Sequence, residues 1–346
     1  MSALPAAVIT VEKLSRLKAL NPSQAEEDWT VLKTAICDLF NIEHPIIQGG
    51  MAHVGTAELV SAVSNAGGLG IIGTGFYEPD WVRQQIQLTR QQTNNPFGIN
   101  IQLASPYVKQ VAEVVLKEQV AIVTTGAGNP EPYMPGFKQK GIKVMPVVNN
   151  VDLARRLEKA GADAIIAEGM ESGGHIGEIT TMVLLPQMVD SVRIPVVAAG
   201  GIGDGRGLAA ALALGAQGIQ MGTRFVCSTE CIAHPNYKKS ILGATSSSTV
   251  VTRQILGFPQ RSLKNKLTDQ FQELEKAGAS REELELFDRS RMYLGLVEGD
   301  IEDGSLLAGQ ISGLINEIKP VRVIIEDTVA EAERIIASLN KYCKED

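Results

Sequence analysis

His175 stands in the stretch AEGMESGGHIGEITT (167–181), with Gly173 and Gly174 before it and Gly177 after it. Glycines leave the imidazole exposed and let a ligand approach the main chain closely. A side chain whose pKa lies near neutrality suits proton delivery, so His175 is the candidate catalytic residue. A second group of residues follows in AAGGIGDGRG and QMGTRF. Gly200, Gly201 and Gly222 allow backbone N–H groups to converge on an anion, and the helix after Gly201 is expected to aim its positive end the same way. The expected ligand is therefore phosphorylated, although tight turns and close helix packing would call for glycine at the same places. By spacing, GIGDGRG also matches the dinucleotide fingerprint. Too few βαβ units follow it, and no acidic residue closes a second strand about 20 residues on.

The remaining ionisable residues narrow the chemistry. A Schiff-base aldolase needs a lysine at a strand end, and Lys143 opens its strand instead. A metal-dependent hydrolase wants several His, Asp or Glu together, whereas Glu168 and His175 are the only candidates. A bound organic cofactor that carries the reaction, clamped by its phosphate, suits a glycine-rich mouth with few ionisable groups. Among the four histidines, His44 precedes a strand and is expected at the opposite end, His53 at the mouth, and His234 as a local cap in AHPNYK. Cys227 and Cys231 are four apart, but no further His or Cys at ligand spacing joins them, so no metal site is expected.

These residues need elements to hold them. Short apolar runs alternate with amphipathic ones: 45–50, 69–75, 96–102, 120–128, 143–148, 162–169, 195–202 and 218–225 read as strands, with helices between them. Asn150 and Gly161 bracket one helix as start and stop signals. Eight strands each followed by a helix predict an α/β fold, a (β/α)8 TIM barrel, with a doubly wound sheet as the competing fold. Each strand ends in glycine or small polar residues, as at Gly49-Gly50, Asn100, Glu168-Gly169 and Gly222-Thr223. In a barrel those ends share one mouth. Residues 245–320 are richer in charge and helix formers and are expected to form an inserted C-terminal helical subdomain over that mouth. A closing helix is expected at 326–342. The division is then an N-terminal extension (1–29), a barrel (30–244 plus 321–346) and a helical lid (245–320).

Composition excludes several partners. The chain has 346 residues, 44% hydrophobic and 21% charged, with 32 basic against 39 acidic side chains and a net charge of −7. No basic cluster interleaved with aromatics points to nucleic acid. No apolar run reaches the roughly 18 residues that cross a bilayer. Charge at Glu12 and Lys13 and the lack of a basic start argue against a signal peptide. The four cysteines are scattered and suggest no disulfide framework. A cytoplasmic location is expected.

The segments PIIQGGMA, GGLGIIGTG, FGINI, IVTTGAGNP, IAEGMESGGHIGEITTM, PVVAAGGIGDGRG, QMGTRF, AHPNYK and GDIEDGSLLAGQISGLI resemble the FMN-dependent enoyl-acyl carrier protein reductase II family (FabK type), within the group that includes nitronate monooxygenases. The resemblance runs from about residue 30 to near residue 340. It implies FMN as cofactor, NADH or NADPH as co-substrate, and an enoyl thioester on acyl carrier protein or coenzyme A as the molecule reduced, in fatty acid synthesis. By motif, Gly49, Gly50, Met51 and Asn100 would meet the flavin, and Gly173 and Gly174 would line its pocket. Glu168 stands where related members have glutamine. Gly200, Gly201, Gln220, Met221, Gly222 and Thr223 would hold ribityl and phosphate, and His175 matches the family's active-site histidine. A homodimer is the expected assembly. The segment 251–265 departs from the pattern, with Gln254 to Pro259 where a histidine-bearing stretch is expected. Two other functions fit the same motifs: a nitronate monooxygenase, in which the substrate reduces FMN and oxygen reoxidises it, and a reductase partner in a polyketide assembly line.

Overall fold

The computed structural model describes residues 32–342. The expected N-terminal extension, 1–29, lies outside the described residues, as does Cys343. Helix α1 (Ala35–Phe40) precedes a wall of parallel strands: β1 (Ile46–Gln48), β2 (Gly70–Gly73), β3 (Phe97–Gln102), β4 (Ile122–Gly126), β5 (Lys143–Val148) and β6 (Ile165–Glu168). Then come a two-residue strand outside the wall, β7 (Gly174–His175), and the last two wall strands, β8 (Val196–Ala199) and β9 (Gly218–Met221). The order β1-β9-β8-β6-β5-β4-β3-β2 runs round the molecule. A parallel bridge between Ile47 and Leu69 closes β1 onto β2. Gln48, fully buried, strengthens that short seam: its amide donates to Ile71 O at 3.1 Å and accepts from Ile71 N at 3.1 Å. The result is the expected (β/α)8 barrel.

The strands are buried on both faces, which explains their nearly unbroken apolar runs. Alternate side chains, among them Ile47, Leu69, Ile71, Ile122, Met145, Ile166 and Val197, point inward and form the core. Ile36, Cys37 and Phe40 of α1 join the same cluster, so this amphipathic helix plugs the barrel. Outside lie α2 (Ala57–Asn65), α3 (Pro79–Gln92), α4 (Val108–Glu118), α5 (Met134–Gln139), α6 (Val151–Lys159), α7 (Thr181–Ser191) and α8 (Gly205–Ala213). Asn150 caps α6 as read from the sequence, accepting from Leu153 N at 2.9 Å, and Gly161 beyond its end takes a φ of +99°.

After β9 the chain makes the short α9 (Thr223–Val226) and α10 (Pro235–Leu242) and then leaves the wall. Residues 245–320, expected to be helical, hold a strand pair as well: β10 (Thr249–Thr252) and β11 (Gln260–Leu263), followed by α11 (Lys266–Lys276), α12 (Arg281–Asp288) and α13 (Arg291–Leu296). The strands escape a hydropathy pattern because β11 buries polar side chains. Arg261 is only 4% exposed and donates to Met170 O and Thr249 Oγ1, both at 3.0 Å. A small second core of Leu256, Phe271 and Leu284 holds the helices together. The closing helix α14 (Val321–Leu339) starts five residues earlier than expected and packs on α8 and α2. It is the eighth barrel helix, separated from its strand by the insertion. From Lys33 onward the chain forms one compact unit, so the insertion does not stand apart. No helix among the described residues is long and apolar enough to cross a membrane.

Candidate active site

A cavity of about 400 Å³ opens at the C-terminal ends of the wall strands. Gly49, Gly50, Met51, Asn100, Glu168, Gly173, Gly174, His175, Gly200, Gly201, Gln220, Gly222 and Thr223 all line it. Met221 is the exception. Its side chain is 1% exposed and off the cavity wall, because neighbours in a strand point to opposite faces. Its carbonyl instead accepts from Gly49 N at 3.0 Å. Ser172, Tyr237, Gln260, Met292, Leu307 and Gly309, which the sequence does not single out, also line the cavity, as does Gly126 at the end of β4. Gly126 and Tyr237 sit in motifs already noted. Met292 and Gln260 come from the insertion, where no local signal marks them.

The glycines have separable reasons. A Cβ on Gly50 would lie 2.2 Å from Asn100 Cβ, so the first strand end must be bare for Asn100 to reach the cavity. The Asn100 amide is oriented by donating to Thr124 Oγ1 at 3.0 Å. At Gly126 and Gly222 an added Cβ would have nothing closer than the Met51 sulfur at 3.6 Å, so these two leave room for a ligand, not for protein. Gly200 and Gly201 take φ values of +92° and +72°, which L side chains rarely adopt.

The expected anion site shifts in one respect. The N-terminus of α8 is already satisfied: Asp204 accepts from Arg206 N at 3.0 Å and Gly207 N at 3.3 Å, and Glu331 accepts from Gly205 N at 2.8 Å. Two carboxylates hold the amides that were expected to face a phosphate. What remains is the pair of loops after β8 and β9, leading into the short α9, a common phosphate position in barrels. There Thr223 Oγ1 accepts from Gly309 N at 3.0 Å, which leaves its own proton free to donate into the cavity.

His175 is placed by pairing. Strand β7 lies antiparallel to β11, with His175 opposite Gln260 and Gly174 opposite Arg261. The imidazole is exposed to the cavity, makes no hydrogen bond to the protein among the described residues, and meets the edge of Phe258 with ring centres 6.0 Å apart. Protein atoms crowding it, and then the Arg253 guanidinium, push its pKa below the usual value, while Asp288 pulls the other way. The ring is therefore neutral at neutral pH. Glu168, at the end of β6, is raised to about 7 by burial. The nearby Ser172 hydroxyl favours the charged form but does not offset burial. Glu171 is committed elsewhere, accepting from Thr181 N and Thr181 Oγ1 at 2.9 Å.

The other noted residues sort as follows. His53 bonds Tyr77 Oη through Nδ1 at 2.8 Å beside the mouth. His234 caps α10, accepting from Asn236 N at 3.1 Å. Cys227 and Cys231 are buried, and burial pushes both thiols up to about 11, which disfavours the thiolate form.

The family profile of nitronate monooxygenase matches residues 33–114 and 100–331. The chain belongs to the nitronate monooxygenase family. Within that family it is 37% identical over 291 residues to a probable nitronate monooxygenase of Staphylococcus saprophyticus, spanning 70% of this chain and 82% of the relative. It is also 33% identical over 341 residues to a (3aS,4S,5R,7aS)-5-hydroxy-7a-methyl-1-oxo-octahydro-1H-indene-4-carboxyl-CoA dehydrogenase of Mycobacterium tuberculosis, spanning 87% and 96%. Among solved structures, FabK from Thermotoga maritima superposes with a TM-score of 0.88 at 51% identity, over 90% of this chain and 99% of that one. Nitroalkane oxidase from Streptomyces ansochromogenes gives 0.78 at 29% identity, over 88% and 100%.

A nitronate monooxygenase family member is a flavin-dependent oxidoreductase, and the cavity fits a flavin. Its walls at Gly126 and Gly222 are bare where a methyl group would intrude, and Ser172 Oγ is buried with no partner of its own.

Proposed function

We propose that this chain uses FMN and NADH or NADPH to reduce the 2,3 double bond of an enoyl thioester carried by acyl carrier protein or coenzyme A. The observation that carries the proposal is the setting of His175. It is the one imidazole on the cavity wall, unbonded, and held there by a strand that belongs to the insertion. The likeness to FabK, 51% identical over 90% of this chain, supports the same reading.

Gly49, Gly50, Met51, Asn100 and Glu168 would hold the flavin ring, and Gly200, Gly201, Gln220, Gly222 and Thr223 the ribityl phosphate. When bound, FMN supplies hydride transfer between the nicotinamide and the β-carbon of the thioester. The protein's part is to bind the thioester, exclude water and stabilise charge. A neutral His175 would donate its N–H to the thioester carbonyl, stabilising the enolate that develops there, and a proton from solvent at the α-carbon then completes the reduction. This role suits its lowered pKa better than proton release from an imidazolium does. Met292, Leu296 and Leu307 supply an apolar wall for an acyl chain.

Anaerobic mixing tests the proposal. NAD(P)H is expected to bleach the flavin absorbance, and a crotonyl thioester added next is expected to restore it. Bleaching by an alkyl nitronate but not by NAD(P)H would instead establish the monooxygenase reaction, which the 37% identical relative's name supports.

A further inference from the structure

In the small sheet of the insertion, Thr252 of β10 lies opposite Gln260 of β11, and Gln260 lies opposite His175 of β7. The three residues share one rung. The next residue, Arg253, takes a φ of +65°, a left-handed conformation that costs energy unless the surroundings fix it. Those surroundings are dense, since Arg253 is only 3% exposed. Its guanidinium donates through Nε to Asp288 Oδ2 at 2.8 Å and through Nη2 to Asp288 Oδ1. Through Nη1 it donates to Thr252 Oγ1 at 2.9 Å, and it lies 4.9 Å over the Phe271 ring. Asp288 is the last residue of α12, so a side chain next to the His175 rung is forked onto the helical part of the insertion.

Among the described residues, Arg253 and Asp288 are the charges that bear on the imidazole. The guanidinium, which weighs more, disfavours the protonated ring, and the carboxylate favours it. The other charged groups around β7 have their own settings. Glu171 accepts from Thr181, Arg261 donates to Met170 O and Thr249 Oγ1, and Arg281 lies over the Phe258 ring at 5.8 Å. Glu178 is exposed, and Glu168 ends β6. We propose that Arg253 and Asp288 are positioning residues that act through His175: the guanidinium repels a proton arriving on the ring, the carboxylate attracts it, and their pairing governs when the ring carries charge. A largely buried pair is screened little by solvent, so it acts on a neighbouring ring more strongly than surface charges do. The donor role of His175 rests on the function proposed above, whereas its titration does not.

The test is an NMR titration of the full-length protein labelled at histidine, with the His175 signal identified by its loss in H175A. R253M removes the cation and is expected to move the His175 midpoint up. D288N removes the anion, leaves Arg253 unopposed, and is expected to move the midpoint down. R253K keeps the charge and is expected to stay with wild type; a midpoint that moves with that of R253M overturns the inference. Opposite shifts from the two halves of one ion pair are what electrostatics requires. Loosening of the insertion would instead hydrate the ring and move both variants up. Shifts of the same sign therefore overturn the inference, as do unmoved midpoints. If a single variant fails to fold, R253M/D288L replaces the pair by apolar groups, a change that proteins often tolerate. Its midpoint is expected to rise while proteolysis within 245–320 keeps the wild-type rate. No rise, or a rise with faster cleavage, overturns the inference. A wild type inactive toward a crotonyl thioester would sink the reductase reading and leave these titrations standing.

Discussion

At the scale of single residues, the cavity wall among the described residues carries two ionisable groups free to act, and burial shifts both toward their neutral forms. Burial disfavours charge, so it lowers His175 and raises Glu168 to about 7. His175→Ala should keep bound flavin, read from its visible absorbance, while reduction of a crotonyl thioester falls about 10²–10⁴-fold. Undiminished turnover would remove His175 from the mechanism. Glu168 has a consequence for stability. Its pKa rises from the ordinary 4.5 to about 7 in the folded protein. Between those values the folded state holds a proton that the unfolded chain has released, so stability falls as pH rises through that window. Thermal melts of flavin-free protein should show this decline, and E168Q should flatten it. Parallel pH profiles for wild type and E168Q would mean that Glu168 is solvated like any surface carboxylate.

At the scale of elements, the decisive contact is between a barrel loop and the insertion. Gly173 faces the 308–309 backbone so closely that a Cβ would lie 2.7 Å from Ala308 C and Gly309 N. Gln310 N donates to Glu171 O at 2.9 Å across the same seam. The β7–β11 pairing continues it through Ile176 N to Pro259 O at 3.0 Å. Gly173→Ala should therefore force the two segments apart, costing about 1–3 kcal/mol. Limited proteolysis should then cut within 245–320 faster than in wild type. An unchanged cleavage pattern would show that the seam can yield without opening the mouth.

For the whole molecule, the candidate site and the α1 plug occupy opposite ends of the barrel. Glycine-lined loops make the mouth, while α1 seals the other end with Ile36, Cys37 and Phe40. Phe40 is 3% exposed in that plug. Phe40→Ala should cost about 3–5 kcal/mol in denaturant unfolding and leave turnover per folded molecule unchanged. A matching loss of turnover would mean that the plug and the mouth are coupled through the core.

Hydrophobic period and strand-end glycines are local properties, so the eight wall strands, the Asn150 cap and the cavity positions of His175, Glu168, Gly50 and Gly222 were all legible in the chain. The resemblance of its motifs pointed to the family that the profile match establishes. What stayed hidden depends on partners distant in sequence. Only the fold shows that Asp204 and Glu331 use up the amides of α8. The buried polar strand β11, whose Arg261 is satisfied by Met170 and Thr249, carries no apolar pattern to read. Met221 was misplaced for a simpler reason, since a one-residue step along a strand turns a side chain from cavity to core. Arg224 and Lys238, each only 7% exposed, look like ordinary surface residues in the sequence. Charge becomes costly only when burial removes water, and burial is decided by the tertiary structure.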